Sequence, residues 1–501
     1  MTPTAIVAGY LDAMAQSTGN YAIARLYLTD DRARAWVPTL RTIVYDGPGT
    51  LEQEGSHVVR LSSARVGTID HSLRWTAAQS ADQVDVAFGL VQTAQGWRIS
   101  SAPDGLLLTG GDISRGYRGF PIYFSAPGGK VLVADGALIP AETANTATLL
   151  TKLLLDGPAD WLTGAVTTGF PQGTALAVDS VPVVNGVAQV RLTDAVLKAT
   201  PAERTLLAAQ LTNTLSTVPG VFSIIVTVAG QPLAIPRQGN VLAIDAWTSW
   251  LPDLQSAVAA TFMGANGAKM VEFSKITALK GASRAGITAD PVMNLARTRL
   301  VGINAATRTV RLARFDGTRA RTLIASTGVG GIAFDHNSRI WGTRSGELLA
   351  WDGNGQPVPV IVPAELNVDR FAIAPDGVRI AISQLVAGAS QLVVGSISRR
   401  PDGLHIQGLH TISRNNVSPA DLAWADDTRV AVLVVAPSVS IFSVSAISGE
   451  NGAYQPVQQA IDITASSRGG VLVGTAPGAI WQTTETFTQH VADGSGPSFG
   501  G

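Results

Sequence analysis

The residues best equipped for chemistry are few, and their spacing argues against most reactions. The histidines are His57, His71, His336, His405, His410 and His490. No two stand three or four apart on a helical pattern, and no HExxH string occurs, so the helical metal arrangements of metallohydrolases have no foothold. His405 and His410 flank one strand-like run, but at that spacing they face opposite sides of it. Cysteine is absent, which excludes thiolate zinc sites, cysteine nucleophiles, iron–sulfur clusters and disulfide scaffolds.

Three other patterns invite a chemical reading and lose it on context. Gly496-Pro-Ser-Phe-Gly500 matches the serine nucleophile elbow, but an elbow needs a strand before it and a helix after it. Here the string ends the chain, in a Gly/Ser/Pro segment, 491–501, expected to be a disordered tail. Gly328-Val-Gly-Gly-Ile-Ala resembles a dinucleotide loop, yet Phe334-Asp335-His336-Asn337 follows where a helix N-terminus would have to stand. Asp426-Asp427 and the Asp-Gly pairs at Asp316, Asp352, Asp376 and Asp402 read as turn residues whose carboxylates bond backbone N–H groups. No catalytic, cofactor-binding or metal-binding residue is assigned.

The tryptophans carry the remaining signal. Trp97, Trp341 and Trp424 fall in strand patterns and read as core. Trp247 and Trp250, in Asp245-Ala-Trp-Thr-Ser-Trp-Leu-Pro, stand at a segment border. Indoles there weld domains together or, exposed, meet a partner.

The elements that position these residues fall into three domains. Residues 1–119 read helices first and strands after, an α+β order. Thr2 is placed to cap a helix with Pro3 in its first turn and Ile6, Val7, Tyr10, Leu11 and Met14 along one stripe. Residues 120–238 alternate: a strand at 121–125, a helix at 143–155 stopped by Asp156-Gly157-Pro158, and strands at 175–179 and 187–192 about the turn Asn185-Gly186. A helix over 201–215 and a strand over 221–228 complete this second α+β unit.

Residues 239–490 have almost no helical period, but they repeat. Val292-Met-Asn-Leu, Ala333-Phe-Asp-His, Ala372-Ile-Ala-Pro and Ala423-Trp-Ala-Asp each open a strand–turn–strand string, and Thr464-Ala-Ser-Ser opens a weaker copy. Their starts are 41, 39, 51 and 41 residues apart. A period near 40 predicts a β-propeller of about six blades, with an insertion near Arg399-Arg-Pro-Asp-Gly. The expected fold class is therefore multidomain, two small α+β domains followed by a propeller.

Composition agrees. The 36 Lys and Arg balance 37 Asp and Glu, giving a net charge of −1, and this near-neutral chain offers no overall electrostatic reason to seek nucleic acid or an anionic membrane. A hydrophobic fraction of 46% excludes disorder. The six lysines all lie between 130 and 280. The longest apolar run, 430–436, is far shorter than the ~18 residues of a membrane span. The opening Met1-Thr-Pro-Thr-Ala-Ile lacks the features of a signal peptide, and its position directly against a helix start suggests a trimmed export segment.

The order of parts resembles the LpqB family of actinobacterial envelope lipoproteins. The opening helices, Gly96-Trp-Arg-Ile-Ser and Pro103-Asp-Gly resemble its N-terminal domain, similar to the nuclear-transport-factor/SnoaL fold. Ile122-Tyr-Phe, Leu154-Leu-Asp-Gly-Pro158, Phe170-Pro-Gln-Gly-Thr174 and Val187-Ala-Gln-Val-Arg-Leu192 resemble a GerMN domain, and the remainder resembles the LpqB propeller. The resemblance implies a non-enzymatic protein on the extracytoplasmic face of the cell membrane, tethered through a lipidated Cys that this chain does not contain. It implies a partner, the extracytoplasmic domain of a sensor histidine kinase of the MtrB type, and a role in envelope homeostasis and division. It supplies no catalytic residues and no cofactor. Two alternatives stand beside it. A propeller hydrolase of cell-wall glycan would need acids or histidines with perturbed pKa values at one mouth of the channel. A ligand sensor would need a pocket in the first domain, lined rather than filled by Trp36, Trp75, Phe88 and Trp97.

Overall fold

The computed structural model describes residues 1–500 apart from 80, 142, 144, 256, 387–388, 414–417 and 436–437. In the first domain, Thr2 caps the helix Pro3–Met14 through the Ala5 N–H, and Ile6, Val7, Tyr10, Leu11 and Met14 are all buried. This stripe packs on a seven-stranded sheet built around Val58–Ile69 and Gln83–Thr93. The sheet is mixed rather than purely antiparallel, because Leu106–Thr109 joins Thr42–Tyr45 in parallel register. Tyr10 meets Trp36 at 5.7 Å and Phe88 at 6.1 Å between ring centroids, so these rings fill the domain's interior.

In the second domain, the helix Pro201–Leu215 starts at a capping box in which Thr200 and Glu203 each satisfy the other's backbone N–H. It is buried along its last nine residues, Leu207–Leu215, because sheet and loops cover it on several sides. Asn185 and Gly186, both at positive φ, make the expected two-residue turn. Its upstream arm is Val183–Val184 rather than 175–179, since so tight a turn pairs only the residues that flank it. Tyr117–Ser125 pairs with Leu132–Pro140, a strand the sequence reading missed. Val241–Ala243 pairs with Ser223–Ile225, so the second domain's sheet extends past 239 and the propeller's first strand begins at Ala259.

The third domain is a propeller of six sheets. The five sequence repeats are the same structural event: the end of an innermost strand, a turn, and the start of the second strand. The innermost strands Ala289–Met293, Val329–Phe334, Val368–Ile373, Asp421–Trp424 and Ala460–Ser466 pack side by side. The sixth is Ser495–Phe499, and it corrects the expectation of a disordered tail. It pairs Ser498 with Thr261 and Phe499 with Ala260, so the chain's end completes the blade that residues 259–278 begin. One blade thus takes strands from both ends of the domain, which ties the ring closed. Gly328-Val-Gly-Gly-Ile-Ala lies mostly within the inner strand Val329–Phe334, without a helix after it. Of the apolar run 430–436, residues 430–434 form an inner-blade strand, and 436 lies outside the described residues. Among the described residues no helix is long and apolar enough to cross a membrane.

The 51-residue repeat interval holds the insertion the spacing requires. It lengthens a hairpin, Ala389–Arg400 with Gly403–Ser413, rather than adding a loop. The long hairpin reaches out of its blade to touch both other domains.

Candidate functional site

Two places concentrate polar chemistry: the propeller channel and the seam where the three domains meet. The channel is a cavity of about 420 Å³ between the innermost strands. Asp290, Asp369, Arg370, Asp421 and Asp462 line it, among apolar residues that include Phe334, Phe371 and Phe499. Asp421 accepts from its neighbour's Leu422 N–H at 2.9 Å and from Ile463 N–H at 3.0 Å, so its carboxylate ties two innermost strands together. Burial pushes its pKa up to about 6, against the pull of those N–H groups and Arg370. Asp462 is pushed up to about 7 by burial, then by the carboxylates of Asp421 and Asp290. Burial also raises Asp290. Arg370 donates to Asp369 at 3.0 Å and to the Ala420 carbonyl at 2.7 Å. Among the described residues no three His, Asp or Glu side chains are grouped as a metal site.

The seam is built from the second domain's inner helix outward. Thr214 Oγ1 accepts from Tyr123 N–H at 3.0 Å, and the buried Gln210 amide donates to the Tyr123 carbonyl at 2.9 Å. Held on both sides, the Tyr123 phenol points into the propeller and donates to Asp427 Oδ2 at 2.7 Å. Burial, and then Asp427, raise the Tyr123 hydroxyl well above its ordinary value. Burial likewise raises Asp427, while the Tyr123 hydrogen bond and Arg379 draw it down.

Arg379 lies beside this pair, almost fully buried. Its Nε donates to Asp376 Oδ2 at 2.7 Å, its Nη1 donates to the Ala134 carbonyl of the second domain at 3.1 Å, and its guanidinium sits 4.8 Å from the Trp424 ring centroid. Asp376 also accepts from Val378 and Arg379 N–H groups, the turn role read from its Asp-Gly pair. The paired acids divide their labour: Asp426 caps its turn through Thr428 and Arg429 N–H, whereas Asp427 leaves the turn for Tyr123. Asp253, in the linker, is pushed up to about 7 by burial and by the carboxylates of Asp427 and Asp426.

The long hairpin completes the seam. Ser396 Oγ donates to the Trp161 carbonyl at 2.6 Å and Gln407 Nε2 to the Thr163 carbonyl at 2.8 Å. The Trp161 ring lies 4.8 Å from that of His410, tilted by 53°. Gly408, at φ +63°, lies so close to Trp161 that a Cβ would stand 2.5 Å from its Cα. The first domain is fastened by Arg74, whose Nη2 meets the buried Asp135 at 2.8 Å, and by Leu138 N–H donating to the Leu73 carbonyl at 2.8 Å.

Trp247 and Trp250, singled out from sequence, both pack on the second domain. Trp247 is buried in that domain's core, and Trp250 lies against the cluster of Tyr123, Leu132 and Ala134. They fasten the linker, while Tyr123, Arg379 and Trp161 make the crossing. Nothing in the local sequence distinguishes those three. Only the off-period repeat interval pointed toward the hairpin that Trp161 meets.

The fold is two α+β units followed by a six-bladed propeller. Family models match this order: "Lipoprotein LpqB, N-terminal domain" over residues 1–114, "Sporulation and spore germination" over 121–234, and "Lipoprotein LpqB beta-propeller domain" over 269–499. Curated relatives are both named Lipoprotein LpqB. That of Thermobifida fusca is 26% identical over 86% of this chain and 78% of its own length. That of Cutibacterium acnes is 26% identical over 95% of this chain and 83% of its own length. The solved first GerMN domain of GerM from Bacillus subtilis is 17% identical, covering 25% of this chain and 97% of that one at a TM-score of 0.22. The chain belongs to the LpqB lipoprotein family.

Proposed function

We propose that this chain is the extracytoplasmic body of a membrane-anchored lipoprotein that binds, without catalysis, the extracytoplasmic domain of an MtrB-type sensor histidine kinase and tunes its signalling in envelope homeostasis and division. The observation that carries this reading is the seam. A docking protein transmits orientation only if its modules hold fixed positions, and buried and half-buried hydrogen bonds join all three domains. The relatives' name supplies the lipoprotein class. Titrating the purified chain against the kinase's extracytoplasmic domain tests it. Saturable binding is expected, and no binding at high micromolar concentration overturns the partner.

A second reading, hydrolysis of cell-wall glycan, is favoured by one observation, the raised carboxyls in the channel. Against it, both Asp421 oxygens accept backbone N–H groups and serve as a clasp between strands. Release of sugar from peptidoglycan that is abolished by Asp462→Asn would favour this reading over the first.

A further inference from the structure

The near-neutral total charge conceals a segregation. Residues 267–325, spanning parts of the first two blades, carry eleven Lys and Arg against three Asp and Glu, a local charge of +8 in a chain of net −1. Asp290 faces the channel, Glu272 is taken by Arg297 in the segment's one ion pair among the described residues, and Asp316 bonds Thr318 on the rim with Arg284 and Arg314 near it, so the cations there remain in excess. Lys275, Lys280, Arg284, Arg314 and Arg319 are all exposed.

These residues share one rim. The Arg297–Glu272 pair joins the hairpin turn at 273–274 to the turn at 294–298. Phe315 N–H donates to the Thr298 carbonyl at 3.0 Å, joining the second turn to that at 315–319. Arg284, on the helix Lys280–Ala285, donates to the Asp316 carbonyl at 3.3 Å and brings the helix to the same place.

At the edge of this rim stands an aromatic finger. Phe273 is 76% exposed and Ile276 beside it 43% exposed. Phe273 and Ser274, at φ +45° and +68°, form the whole of a two-residue hairpin turn. Such a turn favours Asn-Gly, and a Phe at positive φ is held against its backbone preference. A strained, solvent-exposed aromatic among exposed cations has the composition of an interfacial anchor: the ring enters the headgroup boundary while lysine and arginine meet lipid phosphates.

We infer that the rim formed by the Phe273 hairpin, the 315–319 turn and the helix Lys280–Ala285 docks on an anionic lipid bilayer, giving this family member a membrane contact in addition to any lipid tether. Charge complementarity selects an anionic surface, and the exposed Phe273 and Ile276 select a bilayer over a soluble polyanion.

The test uses the 501-residue chain in co-sedimentation with phosphatidylcholine vesicles, with and without phosphatidylglycerol. Binding is expected only to the phosphatidylglycerol vesicles and is expected to weaken at high salt. Replacing Lys275, Arg284 and Arg319 together by Glu is expected to weaken it by at least about tenfold, and Phe273→Ser by several-fold, with the melting temperature held. Equal binding to neutral vesicles, or no effect of the triple replacement, overturns the inference. Competition by soluble polyglutamate with no effect of Phe273→Ser also overturns it, and assigns the rim to an acidic macromolecule instead.

Discussion

The Tyr123 hydroxyl lies 2.7 Å from Asp427 Oδ2, a hydrogen bond that spans 304 residues of sequence and joins the second domain to the propeller. Its donor stands on the strand Tyr117–Ser125 and is braced from behind by Thr214 and Gln210 of the helix Pro201–Leu215. Tyr123→Phe removes the donor and leaves Asp427 buried beside other carboxylates. A loss of about 1–3 kcal/mol is expected, read from the urea midpoint. Asp427→Asn keeps an acceptor for the phenol and is expected to cost less.

Arg379 makes the sharper case. Arg379→Met leaves Asp376 without its guanidinium in a buried site, and a loss of about 3–5 kcal/mol is expected. Removing Asp376 as well should recover part of that loss in a double-mutant cycle. A double-variant loss equal to the sum of the two single losses would mean the pair does not act as a unit.

The linker carboxyl gives a pH signature. Asp253 is pushed up to about 7, above the ~3.9 of an exposed aspartate. The folded chain therefore holds a proton that the unfolded chain has released, and this contribution to stability is complete below about pH 4 and is lost as pH rises through about 7. Asp253→Asn does not titrate. Its stability relative to the parent chain is expected to improve as pH rises from about 4 to 7, measured by denaturant unfolding at each pH. A difference that stays flat or moves the other way would contradict the buried placement of Asp253.

Close approach at the hairpin offers a steric probe. Gly408→Val adds a side chain where Trp161 already stands and forces a positive φ on a β-branched residue. Gly136→Val would push on Ile447, 2.8 Å from the added Cβ, at a second point of the same seam. Each variant is expected to split one thermal transition into two, by calorimetry, as the domains unfold separately.

Much of the fold was legible in sequence because it depends on local periodicity. The repeats at Val292, Ala333, Ala372, Ala423 and Thr464 mark inner-strand ends because each blade needs the same apolar strand and polar turn. The closing strand was not legible. Ser495–Phe499 has tail-like Gly, Ser and Pro, and only pairing with residues more than 200 positions away makes it a strand. The seam was hidden for the same reason: Asp426 and Asp427 are indistinguishable in sequence, yet one caps a turn and the other meets Tyr123. Trp247 and Trp250 drew attention by residue type, and they pack the linker onto the second domain. The basic rim was lost by summing charge over the whole chain, which cancels +8 in one segment against the remainder.

The claim that the three domains act as one docking body is tested most directly by small-angle X-ray scattering on the intact chain, with Gly408→Val as comparison. The seam predicts a pair-distance distribution with a single maximum that is unchanged by salt, and a broader one for the variant. A parent chain whose distribution already carries a second shoulder, or a variant that scatters identically to it, would contradict that claim.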